Sequence, residues 1–385
     1  MSEIHLLIIW SKGLYKKEEI ISDIKEKFDI LKIYNIEWSL ERFSENLSRL
    51  YGENLPKNSG KERHCGNGIF SCIVIRDNNP TYEQRETSKG PKVVNINTFD
   101  KKQLYRKWTG GGHKIHATDD TNETKFQLSL LFGHSYEEYF NYKINYDELI
   151  YKHDLMGANC WLSFEELFSV LNNSMSNYVV LRNFDNLEEQ LNSTHPDIDL
   201  LVENKKVLVN ILNAKPTTDK TYRVQYSVMV EDKNINFDLR YVGDNYYDPL
   251  WQMDILSNKI KYGYCYVPNN NILLYSLIYH ALVHKNNISS DYLKVFIELF
   301  EKENIPYSMQ DFVEENLLDI LLKYMRGKAY QIVEPNDLTV GFNTKLISKK
   351  INFKISKERK YLIIYLQYRS LIRVFLKKII NKVKI

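Results

Sequence analysis

Apolar residues change period several times along the first third of the chain. The run Ile4 to Trp10 is continuous and ends at Ser11-Lys12-Gly13, the pattern of a buried strand and its exit turn. Ile20, Ile21, Ile24 and Phe28 fall on one helical face, and Ile30 to Trp38 returns to strand-like alternation. Residues 39 to 51 predict a second helix, with Ser39 as cap and Leu40, Phe43, Leu47, Leu50 and Tyr51 as its buried stripe. A charged, glycine-containing loop, 52 to 68, leads to the apolar strand Ile69 to Arg76, and Val93 to Ile96 predicts a further strand. Gly110 to Gly112 permit a tight turn ahead of His113 and His116. A helix bearing Phe126, Leu128, Leu131 and Phe132 follows, stopped by Gly133.

The pattern loosens between 136 and 160, a polar, tyrosine-rich stretch that predicts a linker after a first domain of residues 1 to 135. A second domain, 161 to 270, opens with a helix capped by Ser163, with Glu166 at the capping-box position. Tyr178 to Arg182 predicts a strand, as does Asp197 to Val202, in which Asp197 and Asp199 share one face and Ile198 and Leu200 the other. A helix from Lys205 to Leu212, a strand near Tyr222 to Val230 and the strand INFDLRYVG, holding Asp238, complete the domain. Residues 271 to 350 predict a helical region, and 351 to 385 a basic amphipathic helix. The fold class that follows is mixed α/β, with helices and strands in both domains.

Composition changes this picture little. With 385 residues the chain is too long for a single small core, and 52 Lys+Arg against 49 Asp+Glu give no global field for nucleic acid. No specific nucleic-acid partner is expected. Cys65, Cys72, Cys160 and Cys265 are far apart and match no zinc spacing, which fits a reducing compartment. No apolar stretch reaches the roughly 20 residues needed to span a bilayer. The expectation is a cytoplasmic protein.

Chemistry concentrates in two stretches. His116 lies between a glycine turn and a helix start, where oriented amides and the helix dipole favour anions. The alternative is a pair of loop histidines satisfied by backbone groups. In the second domain, carboxylates two apart at a strand end suit a Mg²⁺ clamp, and a third acid inside an apolar strand is costly unless paired or metal-bound. The alternative there is strand capping, with Asp238 paired to Arg240 or Arg223. His280 and His284, four apart on one helix, lack an evident third zinc ligand and suit a structural or substrate-contact role.

The order of elements up to Phe132, with HLLIIWSKG, GIFSCIVI and IHATDDTNETKFQLSLLF, resembles the nucleoside diphosphate kinase family and its ferredoxin-like sheet. That resemblance implies that His116 accepts a phosphoryl group, that Thr118 orients it and that Asp119 caps the helix. Lys12, Arg85, Arg106 and His113 would be nucleotide-binding. His113 stands where the family has asparagine, and Gln127 where it has an acid.

Residues 160 to 270 resemble the nucleotidyltransferase superfamily, in which three carboxylates hold metal against nucleotide phosphates. The resemblance implies Asp197, Asp199 and Asp238 as catalytic metal ligands for Mg²⁺. Arg182-Asn183 replaces the family's Gly-Ser turn, so Arg182 would contact phosphate. Together these features lead to a Mg²⁺-dependent phospho- or nucleotidyl-transferase using an NTP, NDP or CDP-linked donor, with a glycan or lipid-linked acceptor in surface-polysaccharide assembly. The basic residues from 359 to 385 would then touch an anionic membrane surface at the inner face. The alternatives are a nucleotide-binding sensor or partner module without turnover, and a nucleotide-sugar glycosyltransferase.

Overall fold

The computed structural model describes residues 1–87, 90–193, 196–220, 223–285, 288–365 and 368. Its first elements are β1 (Glu3–Ile9), α1 (Lys17–Lys25), β2 (Asp29–Ile36), α2 (Phe43–Tyr51), α3 (Gly60–Cys65) and β3 (Phe70–Asp77). A hairpin of β4 (Tyr82–Thr87) and β5 (Gly90–Asn95) follows, then α4 (Ile96–Trp108), β6 (Ile115–Ala117), α5 (Thr121–Phe132) and β7 (Glu148–Tyr151). The sheet runs β6-β1-β3-β2-β7, antiparallel throughout except for β7, which lies parallel to β2. Placing β1 and β3 between β6 and β2 is the split β-α-β order of a ferredoxin-like sheet. The continuous apolar run of β1 has a direct cause. Leu7 and Ile9 pack with Ile20, Ile24 and Tyr105 on one face, and Leu6 and Ile8 with Leu47 and Leu128 on the other, so both faces are covered.

Three local expectations differ. The loop 52 to 68 contains α3, whose cap Ser59 accepts a hydrogen bond from the Glu62 amide at 3.2 Å; the Ser-x-x-Glu spacing carries that signal. Ser39 caps nothing: α2 starts at Phe43, and the Ser39 amide and hydroxyl donate to Asp154 at 3.0 and 2.8 Å. The stretch 136 to 160 is no free linker. It supplies β7, buries Tyr139 and Leu155, and its Met156 carbonyl accepts from Arg49 at 2.7 Å. Tyrosine rings bury large apolar area even in a polar-looking sequence, which is why hydropathy misjudges it.

The second set is α6 (Phe164–Asn173), β8 (Tyr178–Val180), α7 (Leu187–Gln190), β9 (Asp197–Val202), α8 (Lys205–Leu212), β10 (Lys215–Pro216), β11 (Gln225–Val230) and β12 (Lys233–Tyr241). Its sheet runs β10-β11-β12-β9-β8, with β9 and β12 parallel and the other pairs antiparallel. This is the mixed sheet expected for the second domain. One apolar cluster joins Ile8 and Leu47 to Leu167 and Leu200, so the two sheets share a core. Arg49 fastens them further, donating to the carbonyls of Asn210 and Ile211, both at 2.8 Å.

Beyond this lie α9 (Pro249–Ser257), the hairpin β13 (Lys259–Tyr262) and β14 (Cys265–Pro268), and α10 (Asn270–Tyr279), which passes into a π-helical turn, His280–Lys285. Then come α11 (Ser290–Lys302), α12 (Glu314–Gly327) and α13 (Thr344–Ile347). The expected basic helix starts at 357 rather than 351. Arg359 does not belong to a solvated face. It is buried, pairs with Glu334 at 2.9 Å and donates to the carbonyls of Val340 and Pro335 at 2.9 and 3.1 Å. Most of the remaining tail, 369–385, is outside the described residues.

Candidate functional site

The parallel pairing of β9 and β12 sets Asp199 directly beside Asp238, and Asp197 opposite Asn236. Because side chains alternate along a strand, all three carboxylates face the same side. Asp199 is buried, whereas Asp197 stands at the solvent edge. Asp197 and Asp199 open into a cavity of about 420 Å³ whose other walls include Arg182, Asn183, His280 and Tyr292. Burial, then the charges of Asp199 and Asp238, push the Asp197 carboxyl up to about 7. Asp238 is raised by burial too, against the pull of Arg240.

Two guanidinium groups answer these acids. Asn183, in the left-handed region at φ 57°, turns the chain out of the sheet after β8. The preceding Arg182 reaches Asp199 at 2.7 Å. Arg240 reaches Asp238 at 2.8 Å. Burial works against the Arg182 cation, but Asp199 and the nearby tyrosines outweigh it and hold its pKa well above the ordinary value. Tyr246 lies between the two arginines: its hydroxyl oxygen accepts from Arg182 at 3.2 Å, and its ring lies 4.4 Å from the Arg240 guanidinium. The same oxygen is 2.7 Å from His280 Nδ1, and the His284 ring packs 4.2 Å from the tyrosine ring. Burial holds both imidazoles well below their ordinary pKa, hence neutral. His280 lines the cavity wall, and His284 packs behind it against the Tyr246 ring.

Three carboxylates on one face are a donor set suited in kind to a hard divalent cation. As they stand, oxygens of Asp199 and Asp238 are taken by guanidinium nitrogens, and among the described residues no three His, Cys, Asp or Glu side chains close into a metal-holding group. A metal ion would have to exchange with the arginines. Of the two expected partners of Asp238, Arg240 pairs with it, whereas Arg223 lies 4.0 Å from Asp337.

In the first domain, β6 buries His116 beside Tyr51, ring centroids 5.0 Å apart. Its Nε2 is 2.9 Å from Gln127 Oε1. Among the described residues Nδ1 has no hydrogen-bond partner. Burial first, then Lys102 and Arg106, hold the imidazole well below its ordinary pKa, so it is neutral, with the Glu123 carboxylate 3.9 Å from Nε2. Thr118 does not orient it: that hydroxyl receives the Leu6 amide at 3.1 Å and the Thr124 hydroxyl at 2.9 Å, and lies 3.2 Å from His5 Nδ1. The helix cap is Asp120, which accepts from the Glu123 amide at 2.8 Å, while Asp119 pairs with Lys102.

The remaining expected residues divide. Lys12 donates to the Arg63 carbonyl at 2.9 Å, and Cys65 Sγ reaches the His113 carbonyl at 3.4 Å, so both meet α3. Burial, then Arg106, Lys61 and His64, lower the pKa of His113. Arg106 itself donates to the Ile115 carbonyl at 3.0 Å, next to His116. Arg85 stands apart, paired with Glu83 at 2.6 Å and Asp100 at 3.5 Å on the β4–β5 hairpin. Sequence reasoning missed Lys61, which sits 4.0 Å over the Tyr51 ring, because it treats α3 as loop. The contacts of Tyr246 with Arg182 and of Asp337 with Arg240 join segments far apart in the chain, so only the fold reveals them.

No protein-family model and no curated protein matches the chain. Among solved structures, the solution structure of the antibiotic-resistance factor ANT(2'')-Ia overlaps 42% of this chain and 89% of its own at 10% identity and a TM-score of 0.25. That overlap is too loose to carry a functional argument. No helix among the described residues is long and apolar enough to cross a membrane.

Proposed function

We propose that the chain is a nucleotide-dependent transferase of phosphorus-containing groups, with its reaction centre at Asp197, Asp199 and Asp238. The observation that carries this reading is an open cavity lined by Asp197, Asp199 and Arg182, with Asp238 in register beside Asp199 on the neighbouring strand. These carboxylates would hold Mg²⁺, which on binding neutralises phosphate charge and polarises the transferring group. Arg182, released from Asp199, would contact phosphate oxygens from the cavity wall. Isothermal titration with Mg²⁺ and each of ATP, GTP, CTP and UTP tests the reading. Asp197→Ala and Asp238→Ala should each abolish Mg²⁺-dependent nucleotide binding, and unchanged binding in either would remove the carboxylate centre.

A second reading concerns the first domain and rests on the neutral, buried His116 with Lys61, Lys102 and Arg106 around it. There Nδ1 would attack the γ-phosphorus of a nucleoside triphosphate, the bond to the β–γ bridging oxygen would break, and the diphosphate would leave. Gln127, which cannot carry charge, favours the alternative of a nucleotide sensor without turnover. A glycan or lipid-linked acceptor at an anionic membrane face is the setting we propose for both.

A further inference from the structure

The two edges of the first sheet are finished differently. β6 closes one of them: the Lys114 carbonyl and the Thr118 amide bond back to Trp10 and Leu6, so the alternating backbone turns Ile115 and Ala117 outward. Those outward carbonyls are taken, Ile115 by Arg106 Nε at 3.0 Å and Ala117 by Lys102 Nζ at 3.2 Å. β7 forms the other edge, and among the described residues nothing covers it in this way. The Asn145 amide donates to the Ile30 carbonyl at 3.0 Å, and the Tyr151 carbonyl accepts from the Glu37 amide at 2.9 Å. Odd-numbered positions therefore face β2, and Glu148 and Ile150 turn their backbone groups outward. Apolar side chains are exposed along the same edge, Ile144 by 51%, Tyr146 by 50%, Leu149 by 40% and Ile150 by 73%. An edge left open in this way is a template for another strand.

We infer that β7 is a self-association surface: a second copy of the chain lays its own β7 antiparallel along it about a twofold axis, joining the two sheets into one. The direction of the backbone groups limits the registers, because in an antiparallel pair outward residues meet outward residues. With Ile150 opposite Ile150 of the partner subunit, Glu148 falls opposite Lys152 of the partner subunit, and the axis repeats the pair. Ion pairs already present lead into this seam. Glu148 and Ile150 lie in register with Ile33 and Asn35, so Lys152 continues beside Glu37 on the same face. Lys17 pairs with Glu148 at 2.5 Å, and Lys152 with Glu37 at 3.1 Å. The seam thus reads Lys17, Glu148, the partner's Lys152, the partner's Glu37, alternating in sign throughout. Opposite charges across strands stabilise the pairing, and like charges oppose it. The next allowed register on either side sets Glu148 or Lys152 against the partner's Ile150 and loses the ion pair. What fits the edge is a copy of the chain, because the strand carries its own complement at this spacing.

Sedimentation equilibrium of the full-length protein from about 1 to 200 µM, the span in which a small strand-edge interface is populated, reads the association directly. The mass should rise from one chain toward two. Ile150→Lys sets two ammonium groups at the axis and should weaken association at least about tenfold. Lys152→Glu and Glu148→Lys should each do the same, since like charges then meet twice. Mixed in equal amounts, these two variants should associate again, because each supplies the charge that the other now needs. Circular dichroism melts establish that each variant is folded. If Glu148→Lys is not, for want of its pair with Lys17, then Ile150→Lys and Lys152→Glu decide, both at exposed positions. A wild type that stays monomeric throughout overturns the inference, as does association that Ile150→Lys leaves unchanged. A mixture of folded variants that fails to regain the higher mass overturns it too, because the pairing of Glu148 with Lys152 defines the interface.

Discussion

His116 and the Asp199–Asp238 pair are both strand residues packed against helices, yet the fold treats them differently. His116 is enclosed, with Gln127 on one nitrogen, Tyr51 against its ring and cations beyond. The aspartates are instead held by opposite charge, and their neighbour Asp197 faces a cavity of about 420 Å³. Burial, with Lys102 and Arg106 nearby, keeps this imidazole neutral. Two adjacent carboxylates need a cation at all times, and here arginines supply it until something replaces them. One centre is preset by desolvation, and the other is poised by charge exchange.

The comparison breaks first at His116. Incubation with γ-labelled ATP or GTP should give acid-labile label that His116→Ala eliminates completely; absence of label in the wild type leaves the first domain a sensor, and label surviving in the variant moves the chemistry elsewhere. Next in size is Asp199→Ala, which strands the buried Arg182 guanidinium and should cost about 3–5 kcal/mol in urea unfolding. A loss under about 1 kcal/mol would mean that the pair behaves as a surface ion pair.

A smaller effect follows from Asp197, whose folded-state pKa of about 7 lies above its unfolded value. Such a carboxyl contributes stability fully below about pH 4, the unfolded value, and loses it as the pH rises through 7. Metal-free Asp197→Asn should therefore unfold later than the wild type at pH 8, the difference shrinking steadily toward pH 4. A gap independent of pH would deny the crowding of carboxylates that distinguishes the second centre.

Much of this was legible without a structure. Ile4 to Trp10, Lys205 to Leu212 and the alternation around Asp197 read correctly because period and burial agree in strands and helices covered on known faces. The shared face of Asp197 and Asp199 follows from alternation alone, but the register that sets Asp199 beside Asp238 is a tertiary fact. Arg240 was legible as a neighbour of Asp238 two residues on, and His280 as a structural or substrate-contact residue; the contacts of Tyr246 with Arg182 and of Asp337 with Arg240 were not, since they join distant segments. Thr118 and Asp119 misled because a motif fixes residue types and not rotamers: Thr118 satisfies His5 and the Leu6 amide, and the cap shifts one residue to Asp120. The tyrosines of 136 to 160 misled because their hydroxyls score as polar while their rings pack.

The smallest expected effect tests why His116 is neutral. Burial, Lys102 and Arg106 lower its pKa, and the hydrogen bond that Gln127 Oε1 accepts from Nε2 only partly opposes them. Gln127→Glu places a carboxylate 2.9 Å from Nε2 in nearly the same volume, so the geometry at Nδ1 is kept while the charge balance changes. An opposite charge at that distance favours the imidazolium and should raise the pKa by about one to three units. Measured by the His116 proton shifts on NMR titration, a rise would show that the site is set by electrostatics as well as burial. If the variant also gains phosphohistidine at higher pH, where the imidazole is again neutral, the amide is what restrains turnover in this chain. No movement of the titration would make burial the whole cause, and Gln127 a packing residue beside a desolvated base.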